Sequence, residues 1–219
     1  MSQNRPYSEK TWFSPSHVIN ELRRTVHLGN KIHIKKHKEA WIGAVALICR
    51  AAAEPQEWWL QIPKNDPPDV LAMHLVKRQD GTGNSMVQLP VEVFEISEHD
   101  NESIEKSIER KLTEKIRDYS DTMVVGFVRR GGFFDHQKVF EYVKTFQHKA
   151  GAIFLIVNEE SNTNYSFIGI HPDCFKYKCD WGKIGKSSSQ PDFTTTERGI
   201  KSKMQTSGET DDVLMMFPD

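Results

Sequence analysis

The stretch "NDPPDVLAMHLVKRQDGTGNSMVQLPVEVFEIS", Asn65 to Ser97, decides how this chain is read. Two apolar runs, expected as strands over Val70–Arg78 and Met86–Ile96, flank "QDGTGN". An Asp-Gly pair between two such runs is a strong hairpin signal, because glycine adopts the left-handed backbone that a tight turn needs. The hairpin carries acids: Asp69 just ahead of it, and Glu92 and Glu95 in its second strand. If Asp80-Gly81 is a two-residue turn, Asp69 faces Glu92. If the loop is longer and centred on Thr82, Asp69 faces Glu95. Opposed residues of neighbouring strands share a face of the sheet. Two carboxylates that close repel, which a divalent cation between them relieves. The alternative is that these acids face water at a sheet edge. Glu92 and Glu95 differ in parity and lie on opposite faces, so at most one joins Asp69.

The elements around the hairpin alternate. "SPSHVINELRRTVHLG" reads as a helix with Ser14 as N-cap, Pro15 in first position and Gly29 at its end. A second helix runs from about Lys36 to Ala53, apolar nearly all round in its later part and therefore buried. "EWWLQIP" reads as a strand with Trp58 and Trp59 on opposite faces, one in the core and the other covered by a helix. After the hairpin, "NESIEKSIERKLTEKIRDY" is an amphipathic helix and "TMVVGFV" a buried strand. "FDHQKVFEYVKTFQHKA" is a further helix ended by Gly151, and "AIFLIV" and "YSFIGI" are strands. The fold class implied is α/β, a mixed central sheet with flanking helices, with the later strand–helix–strand unit parallel.

The chain has 219 residues, 27% charged and 37% hydrophobic, enough for one domain with a real core. That domain is expected over residues 1–184. From about Gly185 the composition turns to Ser, Thr, Gly and charge, and 185–219 is expected to be a disordered tail. No stretch is long and apolar enough to span a membrane, and "MSQNRPYSEK" lacks the apolar region of a signal peptide. The three cysteines, Cys49, Cys174 and Cys179, make no disulfide framework. An intracellular, cytoplasmic protein is the simplest reading.

The formal net charge is -1, yet "RRTVHLGNKIHIKKHK" holds Arg23, Arg24, Lys31, Lys35, Lys36 and Lys38 with no acid. Such a segment is either a solvated face or a phosphate-binding patch. His171, Cys174 and Cys179 have metal-like spacing but no second pair of ligands for zinc, so packed cysteines are expected. Arg129, Arg130 and the glycines after them end a strand, as a plain turn or a phosphate cradle. The "GTG" at Gly81–Gly83 lacks the Lys-Ser/Thr ending of a nucleotide loop.

A helix with a glutamate, a strand, "PPD", a hairpin, an acid-bearing apolar strand, a helix and a strand, in that order, resemble the PD-(D/E)xK nuclease superfamily. This is the restriction-endonuclease-like fold of Holliday-junction resolvases and many restriction and repair nucleases. The resemblance covers roughly residues 30–160. It implies a DNA endonuclease that uses Mg2+ or Mn2+ to hydrolyse phosphodiester bonds. By it, Pro68-Asp69 is the "PD", Glu39 is the helical glutamate, and Glu92 or Glu95 is the strand acid. Glu92 is preferred on the Asp-Gly register, so that Glu39, Asp69 and Glu92 hold the metal. Arg23, Arg24, Lys31, Lys35, Lys36 and Lys38 would then track the DNA backbone. The chain departs from the family at the lysine two residues after the acid, where Phe94 or Ser97 stands. Some members supply that lysine from the following helix, here through Lys106 or Lys111. The alternative is a silent member that binds nucleic acid, or a protein partner through its C-terminal end, Asp211 to Asp219.

Overall fold

The structure is a computed structural model that describes residues 11–20, 35–54, 56–63, 67–79, 81, 83–97, 101–114, 118–129, 135–158, 164–180, 192–196, 199–206 and 209–216. It is a mixed α/β fold. Strands β2 (Trp59–Gln61), β3 (Val70–Lys77), β4 (Asn84–Ile96), β5 (Met123–Val128), β6 (Ala152–Asn158), β7 (Asn164–His171) and β8 (Phe175–Asp180) form one seven-stranded sheet in sequence order. β2, β3 and β4 are antiparallel neighbours. β4, β5 and β6 run parallel, and β7 and β8 return antiparallel. The parallel joins need crossovers, which are the helices α2 (Ile104–Thr113) and α3 (His136–Val143).

Helix α1 (Lys35–Ala53) covers one face of the sheet, here the near face. Its Ala40, Ala44 and Leu47 share a core with Val70, Ala72, Val91, Val93, Met123 and Val125. α2 and α3 cover the far face, where Ile104, Ile108, Val139 and Val143 pack on Ile96, Val124, Val128 and Leu155. Strands β5 and β6 are therefore buried on both sides, as their apolar runs require. Trp58 lies in the near core. Trp59 is covered by Trp12 of the short strand β1 (Thr11–Trp12) and by Met73, where a helix was expected.

The first helix starts as its sequence predicts, with His17 N–H donating to Ser14 Oγ at 3.2 Å and residues 15–20 helical. The part toward Gly29 lies outside the described residues. α3 is shorter than expected and ends at Val143, not at Gly151. Thr145 N–H and its hydroxyl both close onto the Tyr142 carbonyl, at 2.9 and 2.7 Å, which ends the helix in a tight turn. Further strands appear beyond those expected. "FKYKCD" forms the edge strand β8. Within 185–219, read from composition as a disordered tail, residues form β9 (Asp192–Thr196), β10 (Gly199–Thr206) and β11 (Glu209–Met216). These join β1 in a second sheet of order β1-β9-β10-β11. Of the C-terminal end suggested for docking, Asp211–Met216 pairs with β10, and residues 217–219 lie outside the described residues.

Candidate active site

The hairpin register is set at the turn. Gly81 has φ +74, a value glycine reaches without strain. Gly81 N–H donates to the Arg78 carbonyl at 3.1 Å, and Arg78 N–H to that of Gly83 at 2.9 Å. Lys77 pairs with Asn84 and Val70 with Val91, which is the register of a two-residue Asp-Gly turn. Asp69 directly precedes Val70, and Glu92 directly follows Val91. Both acids are buried, each only 3% exposed.

Asp69 stands just before β3 and extends its ladder with a side chain. Its Oδ2 accepts the Val93 N–H at 2.9 Å. β3 starts at Val70, opposite Val91. Beyond that point, the C-terminal part of β4 has β5 on one side and, among the described residues, no strand on the other. Asp69 thus sits in a notch at the end of the β3–β4 ladder.

Glu92 shares the far face with Phe94 and Ile96, and Lys111 of α2 meets it there, its Nζ 3.1 Å from Glu92 Oε2. The Glu92 side chain is 4% exposed and that of Lys111 22%. The helix period accounts for this lysine. Ile104, Ile108 and Leu112 form the inward stripe of α2, and position 111 lies two turns on from Ile104 on its margin. Lys106 points the other way, to Glu109 at 2.9 Å and over the Tyr142 ring. Of the two lysines expected from this helix, the structure brings Lys111 to the strand acid and turns Lys106 outward. The sequence signal was a cation at a position that the apolar period assigns to the interior.

Glu39 and Glu95 belong to a separate constellation on the near face. Glu39, in the first turns of α1, receives Lys35 at 3.1 Å and Lys36 at 3.6 Å. Glu95 receives Lys38 and, at 2.8 Å, Arg129, whose guanidinium also lies over the Phe127 ring. Burial, and then the neighbouring Arg129, lowers the pKa of Lys38. The set expected to share one metal therefore divides: the sheet separates Glu92 from Glu39. The cause is the two-residue period of β4, which turns Glu92 away from α1 and Glu95 toward it. Lys35, Lys36 and Lys38 of the basic segment sit in this near-face cluster. Arg23, Arg24, Lys31 and Arg130 lie outside the described residues.

On the near face Lys35 and Lys36 meet Glu39, and Lys38 and Arg129 meet Glu95 near the C-terminal ends of β4 and β5. Glu92 and Glu95 are three residues apart, about 10 Å of strand. Among the described residues no three His, Cys, Asp or Glu side chains gather as metal ligands. Mg2+ is ordinarily held by only one or two carboxylates, with water and substrate phosphate completing its shell. Asp69 and Glu92 are hard-oxygen donors of the kind such an ion takes, and Glu39 lies across the sheet from Glu92.

The remaining motifs separate in space. His171 meets the His148 ring, Cys174 donates to Gln137, and Cys179 faces α1, so no zinc site forms from them. No helix among the described residues is long and apolar enough to cross a membrane. No family model, curated protein or solved structure matches the chain.

Proposed function

We propose that this chain is a metal-dependent phosphodiesterase acting on DNA, with Asp69, Glu92 and Lys111 as its working groups. The observation that carries the reading is the Lys111 ammonium 3.1 Å from the buried Glu92, one residue past the Val70–Val91 pair that Asp69 precedes. Two acids and a lysine is the set a PD-(D/E)xK nuclease needs, with the lysine coming from α2 in place of Phe94. The order of α1, the antiparallel β2–β3–β4, α2 and the parallel β5 supports a restriction-endonuclease-like arrangement.

Asp69 and Glu92 would hold Mg2+ or Mn2+. When bound, such an ion polarises a phosphoryl oxygen and makes a coordinated water more acidic. Lys111 would orient the attacking water by hydrogen bonding and stabilise charge developing on the phosphate. The near-face cations Lys35, Lys36, Lys38 and Arg129 would hold the flanking backbone phosphates, a contribution that weakens steeply with salt.

A second reading rests on the internal partners of these acids. Lys111 already neutralises Glu92, and Asp69 already accepts a backbone N–H. A protein that keeps these bonds for stability alone would be a silent member of the same fold, acting by binding. Melting the protein in rising Mg2+ separates the two. A filled site stabilises the folded state by about 2.7 kcal/mol at a hundred times the dissociation constant. The expected result is a rise of several degrees in wild type that is absent in Asp69→Asn. No rise in wild type supports the silent reading, and an equal rise in the variant rules out Asp69 as a ligand.

A further inference from the structure

Outside the candidate site, two nucleophilic side chains lie buried in contact. Cys49 is on α1 and Cys179 on β8, they are 0% and 1% exposed, and both are free thiols. The Cys179 thiol lies 3.8 Å from the Cys49 carbonyl oxygen, and the two thiols are within hydrogen-bonding reach of each other. Nothing in the proposed hydrolysis uses them.

We infer that Cys49 and Cys179 form an oxidation site that closes into a disulfide and ties the edge strand β8 to the helix at the centre of the fold. The placement of Cys179 makes this specific. Its strand reads exposed at Phe175, Lys176, Tyr177, Lys178 and Asp180, so Cys179 is the one buried side chain of β8. Among the described residues β8 is the last strand of its sheet, with β7 alone beside it. Fraying of this strand uncovers Cys179 first and then Cys49, whereas α1 is packed along its length. The Cys49 thiol stays protonated while the strand is closed: its hydrogen bond with Cys179 and then burial raise its pKa well above the ordinary thiol value. Reaction therefore proceeds from the opened strand, and reclosing places one sulfur against the other.

The oxidant class is a low-molecular-weight disulfide such as oxidised glutathione. Cys179 loses its proton to solvent, and its thiolate attacks one sulfur of that disulfide. This forms a mixed disulfide and expels one glutathione thiolate. The Cys49 thiolate then attacks Cys179 Sγ and expels the second. Two electrons pass from the protein thiols to the reagent, and the two protons end on two glutathione thiols. The bond closes a loop of 130 residues' separation, and constraint of the unfolded chain over a long loop stabilises the native state.

The test incubates the full chain with oxidised glutathione, in buffer and in urea up to just below the unfolding midpoint, followed by peptide mapping and melting. The expected product links the Cys49 and Cys179 peptides and leaves Cys174 unlinked to either. Its melting temperature rises by roughly 10 °C. A reductant reverses the rise, Cys174→Ala retains it, and Cys49→Ala and Cys179→Ala lose it. The inference is overturned if no linked peptide forms at any urea concentration, if Cys174 takes the place of either partner, or if the linked protein melts at or below the reduced protein. Mapping the wild-type protein decides this even where an alanine variant folds poorly. None of these outcomes depends on whether Asp69 and Glu92 bind metal.

Discussion

Lys111 and Glu92 carry the account at the scale of single residues. Glu92 is buried, so removing its cation leaves a charge with little water around it, and breaking such a pair costs more than forming it gains. Lys111→Met is expected to lose about 2–4 kcal/mol, and Glu92→Gln combined with Lys111→Met to lose less than Lys111→Met alone. Urea unfolding of both variants checks this, and a loss under about 0.5 kcal/mol in Lys111→Met would mean that the pair is solvated. The hairpin register, with Val70 against Val91, was legible in the sequence, because an Asp-Gly pair between two apolar runs favours a short connection. The role of Glu39 was not. A helix in a linear sequence does not say which face of a later sheet it covers, so Glu39 could be set beside Glu92 on paper, although the sheet divides them. Lys111 lay between these cases. The spacing from Ile104 pointed it inward, but only the packing of α2 over β4 shows which acid it meets.

At the scale of elements, α1 fits the sheet through Gly43. A Cβ built there would meet Val70 Cγ2 at 2.9 Å, with Val70 Cβ and Cγ1 both at 3.3 Å. Val70 follows Asp69, so this contact also seats the start of β3. Alanine in a helix interior is worth about 1 kcal/mol over glycine, while overpacking a filled core costs about 1–3 kcal/mol. Gly43→Ala is expected to destabilise by about 1 kcal/mol net, measured by chemical unfolding; a gain in stability would show that α1 can lift from β3 freely. A second prediction concerns the turn between α3 and β6. His148 Nδ1 accepts the Ala150 N–H at 3.3 Å, and its ring meets that of His171 edge-on. Burial first, and His171 second, hold its pKa below the ordinary 6.5. The unfolded chain therefore takes up this proton more readily than the folded one. The resulting stability is fully present above pH 6.5 and is lost as pH falls through the folded value. Melting temperature against pH should fall on the acid side, less steeply in His148→Gln, with a remainder from His37 and His74, which burial also lowers. An unchanged slope in the variant would remove His148 from this account. Strands and helices with strong periods were legible. The end of α3 was not, because its apolar sequence runs on past the turn that hydrogen bonds at Tyr142 impose. β8 was missed because a partly exposed edge strand shows little apolar pattern.

Over the whole molecule, the mixed sheet sets the Glu92–Lys111 pair and the cluster of Glu95 with Lys38 and Arg129 on opposite faces of β4. The alternation of one strand and the placement of α1 and α2 on either side of it produce that division. The second sheet, built from both ends of the chain, was not legible: its first strand is two residues long, and its partners lie about 180 residues away in a polar region. Pairings at that separation leave no mark in local composition. The central claim is that Asp69, Glu92 and Lys111 form one hydrolytic site. Its most direct test is the initial rate of DNA cleavage in Mn2+ by wild type and by Lys111→Met, at a temperature where both are folded. The account predicts cleavage by wild type and a rate at least about 100-fold lower in the variant, the scale of a lost proton-transfer or charge-stabilising group. Cleavage by the variant at the wild-type rate, or none by wild type, would contradict it.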